Sequence, residues 1–198
     1  MPEALTDPIA IFKDAFARAQ RTDRALLPEP SAMSLATVGA DGSPTLRIVL
    51  LKGVDENGFV FYTNLASRKG RDLRAHPRAA LCFYWSPLDL QIRIDGSVTQ
   101  VTDEEADEYF ASRPRGSQIG AWASRQSEAI EPAGELDARV ARYEREFEGR
   151  DVPRPDFWSG FRVHPERIEF WRNRANRLHD RTRYTRVGDG WKVETLYP

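Results

Sequence analysis

Between residues 32 and 101 the chain breaks into short apolar runs, some alternating with polar side chains and some nearly continuous. AMSLATVG (32–39), TLRIVLLKGV (45–54), GFVFYTN (58–64), AALCFYW (79–85) and LQIRIDGSVTQV (90–101) are each rich in β-branched or aromatic residues, which predicts five strands. Ala40-Asp41-Gly42 and Asp55-Glu56-Asn57-Gly58 supply turns between them. The flanks change period. Asp7-Pro8 is an N-cap followed by Pro at the first helical position, and Ile9, Phe12, Phe16 and Ala19 recur at helical spacing, so 8–21 is an amphipathic helix. SRKGRDLRAHP (67–77) predicts a short helix with Ser67 as N-cap and Pro77 beyond its end. Residues 103–148 read as helical pieces opened by Asp103. After the Pro-rich link DVPRPDFW (151–158), strands return in RIEFWR (167–172) and RTRYTRVGDGWKVETLY (181–197), with Gly188-Asp189-Gly190 as a hairpin turn. Short strands with one small helix among them predict a mainly β protein with flanking helices, an antiparallel barrel in one domain over 1–198.

Composition narrows the function. Of 198 residues 40% are hydrophobic and 30% charged, the profile of a folded globular chain, and the formal net charge of -1 argues against a general nucleic-acid or anionic-membrane binder. Only four of the 29 basic residues are Lys (Lys13, Lys52, Lys69, Lys192), an Arg excess that background composition explains as readily as function. Cys82 has no internal partner, and His76, His164 and His179 form no metal-ligand spacing. The start MPEALTDPIAIFKD lacks a signal-peptide layout and no apolar run spans a membrane, so the expectation is a cytoplasmic protein.

Three places put cations where a buried surface would not want them. Arg47 and Lys52 bracket the apolar run RIVLLK. Strict alternation sends them to opposite faces, so one ligand touching both needs a bulge, a long reach or a subunit interface. Arg68 and Lys69 follow the Ser67 cap, where free backbone N–H groups favour an anion, and Tyr62-Thr63 just before them adds hydroxyls. Tyr109, Arg113 and Ser117 recur at helical spacing, although Pro114 ends one helix and leaves Ser117 near the start of the next. The Arg-rich stretch 170–186, with Trp171 and Tyr184, has strand-like spacing and lacks an RNA-binding motif. Several anion positions beside aromatic residues suit a phosphorylated aromatic ligand, or a cofactor whose ring carries the reaction.

Together, RIVLLKG (47–53), VFYTNLASRKG (60–70), YFASRPRGSQIGAWASRQS (109–127), VPRPDFWSGFRV (152–163), RIEFWR (167–172) and RLHDR (177–181) closely resemble the pyridoxine/pyridoxamine 5'-phosphate oxidase family. The resemblance implies an FMN-binding split β-barrel and a homodimer with FMN at the subunit interface, which would itself bring Arg47 and Lys52 to one ligand. It further implies oxidation of a small phosphorylated pyridine, pyridoxamine or pyridoxine 5'-phosphate, to pyridoxal 5'-phosphate. O2 is the acceptor, hydrogen peroxide is released, and the amine also yields ammonia. Carried over by position, Arg47, Lys52, Tyr62, Thr63, Arg68, Lys69, Gln91, Gln126, Ser127, Trp171 and Arg181 are expected to hold FMN. Lys52, Tyr109, Arg113, Ser117, Arg177 and His179 are expected to hold substrate, the last two as the catalytic pair. No metal is implied, and neither nucleic acid nor membrane. Many members carry a longer N-terminal lid, which here reads as missing or reduced, and Arg172 and Arg174 fall outside the motif without a role. Competing readings are a split-barrel flavin oxidase for another aromatic substrate and a non-catalytic module binding FMN or pyridoxal phosphate.

Overall fold

The computed structural model describes residues 7–198. The expectations on the leader and the N-terminal lid fall largely on residues 1–6, outside the described residues. Helix α1 (Pro8–Arg21) is capped by Asp7, whose carboxylate accepts from the Ile9 N–H at 2.9 Å. Nine strands follow in one antiparallel sheet: β1 (Ala32–Val38), β2 (Pro44–Leu50), β3 (Gly53–Asp55), β4 (Gly58–Asn64), β5 (Arg78–Trp85), β6 (Leu90–Gln100), β7 (Trp158–Arg172), β8 (Asp180–Val187) and β9 (Gly190–Leu196). Their order is β2-β1-β5-β6-β7-β4-β3, with β8 and β9 branching from β7. Helix α2 (Arg68–Ala75) lies between β4 and β5, while α3 (Asp103–Ala111), α4 (Arg115–Ala123) and α5 (Glu135–Glu146) separate β6 from β7.

The alternation that predicts β1, β5 and β6 is the alternation of their burial. Their inward residues, among them Met33, Leu35, Leu81, Phe83, Ile92 and Ile94, form the barrel core, and α1 plugs it with Phe12 against Phe59, Phe83 and Trp85. A second cluster under the helices gathers Phe110, Ile119, Phe147, Val152 and Trp158. Among the described residues no helix is long and apolar enough to cross a membrane.

Two expectations need correction. Thr102, not Asp103, caps α3: its hydroxyl accepts from the Glu105 N–H while the Glu105 carboxylate accepts from the Thr102 N–H. Asp103 instead pairs with Arg154 at 2.9 Å. The run 45–54 is two strands rather than one. After Leu50 the backbone leaves β1, and the Lys52 N–H donates to the Val60 carbonyl at 2.8 Å. This transfer between ladders resets the side-chain alternation. Arg47 and Lys52 therefore line one cleft within a single chain.

Candidate active site

That cleft has a volume of about 1130 Å³ and lies between β2, the β4–α2 junction and the α3–α4 corner. One group of residues in it is cationic. Ser67 caps α2, its hydroxyl accepting from the Gly70 N–H, so the helix begins with Arg68 and Lys69 at the cleft. Lys69 is only 9% exposed. Its Nζ donates to Thr63 Oγ1 at 3.2 Å, Ser67 Oγ at 3.4 Å and Gln126 Oε1 at 3.1 Å, all neutral acceptors. Burial, and then the nearby Arg47 charge, pull the Lys69 ammonium below the ordinary lysine value. Arg47 is likewise pulled down by burial, with Asp72 opposing and Arg68 reinforcing the shift. Three cations close enough to repel one another, with one carboxylate among them, make a cradle suited to a dianion. The loop after α4 closes the cradle, because Ser127 Oγ accepts from the Arg68 N–H at 3.2 Å. Ser127 adopts φ +77°, a left-handed conformation that is costly for a non-glycine residue.

Gly70 allows this close approach. A Cβ there would stand 2.4 Å from the Leu65 carbonyl oxygen, so Gly70→Ala must push the start of α2 outward. The expected result is a loss of about 1–3 kcal/mol in stability, as for overpacked sites, together with weaker anion binding. A Tm and affinity equal to those of the unmodified chain would refute the account.

The second group sits at the α3–α4 corner. Arg113 stacks over Trp158 at 4.7 Å and Phe110 at 5.4 Å, while its Nη1 is buried without a hydrogen-bond partner. Burial pulls its guanidinium below the ordinary arginine value, with Tyr109 opposing. Gln118 donates to the Phe110 carbonyl at 2.9 Å, tying α4 to the end of α3 and bringing Ser117 to the cleft beside Arg113 and Tyr109. Pro114 caps α4 without a side-chain hydrogen bond, so backbone N–H groups are left at that end. Behind the site, the Tyr62 ring stacks on Tyr109 at 4.0 Å and on Trp158 at 5.5 Å. Trp158 is a lining residue that sequence reasoning quoted in a motif but gave no role.

Of the residues expected at the site, Arg47, Lys52, Tyr62, Thr63, Arg68, Lys69, Tyr109, Arg113, Ser117, Gln126 and Ser127 all line this cleft. The rest do not join it within one chain. Gln91 lies opposite Trp171 across β6–β7, and Trp171 opposite Arg181 across β7–β8, so these three form one row on the sheet. Arg181 donates to Glu169 at 2.8 Å. His179 packs its ring 4.4 Å from that of Trp171, and its Nδ1 accepts from the Arg174 N–H at 3.2 Å, leaving the ring hydrogen on Nε2. Arg177 and Asn176 both take left-handed backbone, at φ +60° and +59°, in the turn before it. Arg174, outside the motif, pairs with Asp180 at 3.0 Å.

Residues 20–172 match the family model described as Pyridoxamine 5'-phosphate oxidase, and residues 158–198 match that of the Pyridoxine 5'-phosphate oxidase C-terminal dimerisation region. Pyridoxine/pyridoxamine 5'-phosphate oxidases of Myxococcus xanthus (strain DK1622) and Rubrobacter xylanophilus are 57% and 58% identical over 192 residues. The matches cover 97% of this chain and 92% and 87% of theirs. Among solved structures, PhzG from Burkholderia lata 383, in complex with tetrahydrophenazine-1-carboxylic acid, superposes with a TM-score of 0.91 at 32% identity, over 100% of this chain and 97% of that one. A pyridoxamine 5'-phosphate oxidase-related, FMN binding protein from Nostoc punctiforme PCC 73102 shares the fold, with a TM-score of 0.75 at 19% identity over the whole of both chains. Family membership supports FMN as the cofactor, and the cation cradle fits its phosphate. The chain belongs to the pyridoxamine 5'-phosphate oxidase family, oxidoreductases on an antiparallel split barrel with a C-terminal dimerisation region.

Proposed function

We propose that the protein oxidises pyridoxamine and pyridoxine 5'-phosphate to pyridoxal 5'-phosphate, passing the electrons to O2 and releasing hydrogen peroxide, with ammonia from the amine. The observation that carries this reading is the pair of anion positions in one cleft: the Arg47–Arg68–Lys69 cradle, and the orphaned Arg113 beside Ser117 and Tyr109. A phosphorylated cofactor and a phosphorylated substrate side by side need two such positions. FMN, when bound, supplies the hydride acceptor. Arg47, Arg68 and Lys69 hold its phosphate, Thr63, Gln126 and Ser127 its polar chain, and Lys52 and Tyr62 border the ring. Arg113, Ser117 and Tyr109 clamp the substrate phosphate and thereby orient the reacting carbon.

The row Gln91–Trp171–Arg181 and the pair Arg177 and His179 complete the site from a second copy of the chain. In support, all but Gln91 lie within the residues that match the dimerisation region, and β2 exposes Leu46 (69%) and Ile48 (63%), an apolar surface suited to association. Arg177 and His179 face the substrate ring in this reading, with the Nε2 hydrogen of His179 available as a donor.

The likeness to PhzG favours one competitor, an oxidase of a larger aromatic carboxylic acid. Substrate phosphate separates the two. The protein is reconstituted with FMN and given pyridoxamine 5'-phosphate, or pyridoxamine without phosphate, in air. Pyridoxal 5'-phosphate and peroxide should appear, with kcat/KM about 100-fold lower for the unphosphorylated amine, the value of a lost charge-assisted clamp. A yellow protein that turns over neither amine refutes the assignment and leaves the carboxylic-acid oxidase or the non-catalytic module.

A further inference from the structure

Arg47 does not hang free in the cradle. Its Nη1 donates to Thr37 Oγ1 at 2.7 Å and to the Leu35 carbonyl at 3.2 Å, and its Nη2 donates to Thr45 Oγ1. Each of those hydroxyls has one hydrogen, and each gives it to the same oxygen: Thr37 to Asp72 Oδ2 at 2.7 Å and Thr45 to Asp72 Oδ2 at 2.9 Å. Asp72 Oδ2 is itself 3.7 Å from Arg47 Nη2. Thr37 is 2% exposed and Asp72 6%, and neither lines the cleft. Asp72 is the one acidic residue of α2, the helix whose first residues are Arg68 and Lys69.

We propose that Thr37 and Asp72 are positioning residues: through the two threonine hydroxyls they lock the Arg47 guanidinium in register with the Arg68–Lys69 end of α2, setting the spacing of the phosphate cradle. A free arginine side chain loses about 2 kcal/mol of rotamer entropy when it is immobilised. Here that ordering is completed before any ligand arrives, which is the physical content of preorganisation. The network also ties the β1–β2 ladder, where Thr37 stands opposite Thr45, to helix α2, which carries Asp72. The inference rests on the FMN reading of the cleft, and its test separates the two.

Binding of FMN and of riboflavin, which lacks the phosphate, is titrated by flavin fluorescence in the full-length chain. Thr37→Val, nearly isosteric but without the hydroxyl, should weaken FMN about tenfold and leave riboflavin within twofold, whereas Thr37→Ser should bind FMN as the unmodified chain does. In an Arg47→Ala background, Thr37→Val should change FMN affinity by less than twofold. Asp72→Ala, which takes the shared acceptor away, should repeat the pattern. Equal losses with and without Arg47, equal losses for FMN and riboflavin, or no loss in Thr37→Val would each overturn the positioning role. If Thr37→Val fails to fold, the comparison moves to Thr37→Ala against Thr37→Ser on the same two ligands. An unmodified chain that binds neither flavin is a failure of the FMN reading itself, seen before any variant is made.

Discussion

Arg113→Ala is expected to raise KM for pyridoxamine 5'-phosphate about 100-fold, the cost of losing a charge-assisted contact of about 2–3 kcal/mol in a half-buried site. The guanidinium lies over Trp158 and against Phe110 with Nη1 buried and orphaned, so a donor is in place before substrate arrives. An unpaired buried cation is also a burden on the free protein. Arg113→Met, which keeps bulk against the rings and removes the charge, should therefore lose substrate affinity while raising the Tm of the free protein. The paired measurement is the decisive one. A KM unchanged in Arg113→Ala would sink the clamp, and a Tm that falls in Arg113→Met would show that the cation contributes to the fold rather than to the ligand.

Lys69→Met should have an effect of similar size on the cofactor. Lys69 is buried among neutral acceptors, and no carboxylate of the described residues forms an ion pair with it. Removing the ammonium should weaken FMN about 100-fold, within the range for hydrogen bonds to charged groups. The pH dependence of the free protein follows from the direction of the shift. Because burial and Arg47 lower the Lys69 value in the folded state, the unfolded chain binds more protons there, and this residue makes stability rise with pH between its folded and ordinary values. Difference measurements of unfolding between the unmodified chain and Lys69→Met should show that alkaline gain in the former only, and saturating FMN should abolish it. A stability difference between the two that does not change with pH would contradict the assignment.

Much of the barrel was legible from residue order, because burial on β1, β5 and β6 follows a period of two that survives in the fold. β2 was less so. RIVLLK reads as an apolar strand with charged ends, yet Leu46 and Ile48 face out, and the ladder breaks after Leu50. Local pattern specifies a strand but not which of its faces the rest of the chain covers. Charge, capping and helical spacing picked out most of the cleft residues and the motif added Gln126 and Ser127, but the interface that the motif implied did not say that Gln91, Trp171, Arg177, His179 and Arg181 are the ones that stand apart in one chain. The Thr37–Asp72 network went unread, although one signal existed: a single acid in the otherwise basic helix RKGRDLRA. Hydrogen bonds between residues 35 apart have no signature in sequence spacing.

β7 runs from Trp158, beneath Arg113, to Trp171, in the row beside His179, with one bulge at Glu166. It is also where the two family matches overlap, residues 158–172. At about 3.3 Å per residue the strand spans roughly 45 Å, a ruler with the proposed substrate clamp at one end and the residues proposed to serve a second copy at the other. β4 fixes the register before the bulge at Glu166 and β8 after it, with β6 along both halves, so away from that bulge an insertion or deletion shifts one half of the strand against its partners. Losing one residue between Arg167 and Trp171 would turn Trp171 to the opposite face while leaving Trp158 in place. Outside the bulge at Glu166, the length of this strand is therefore under tighter constraint than the identity of most residues along it.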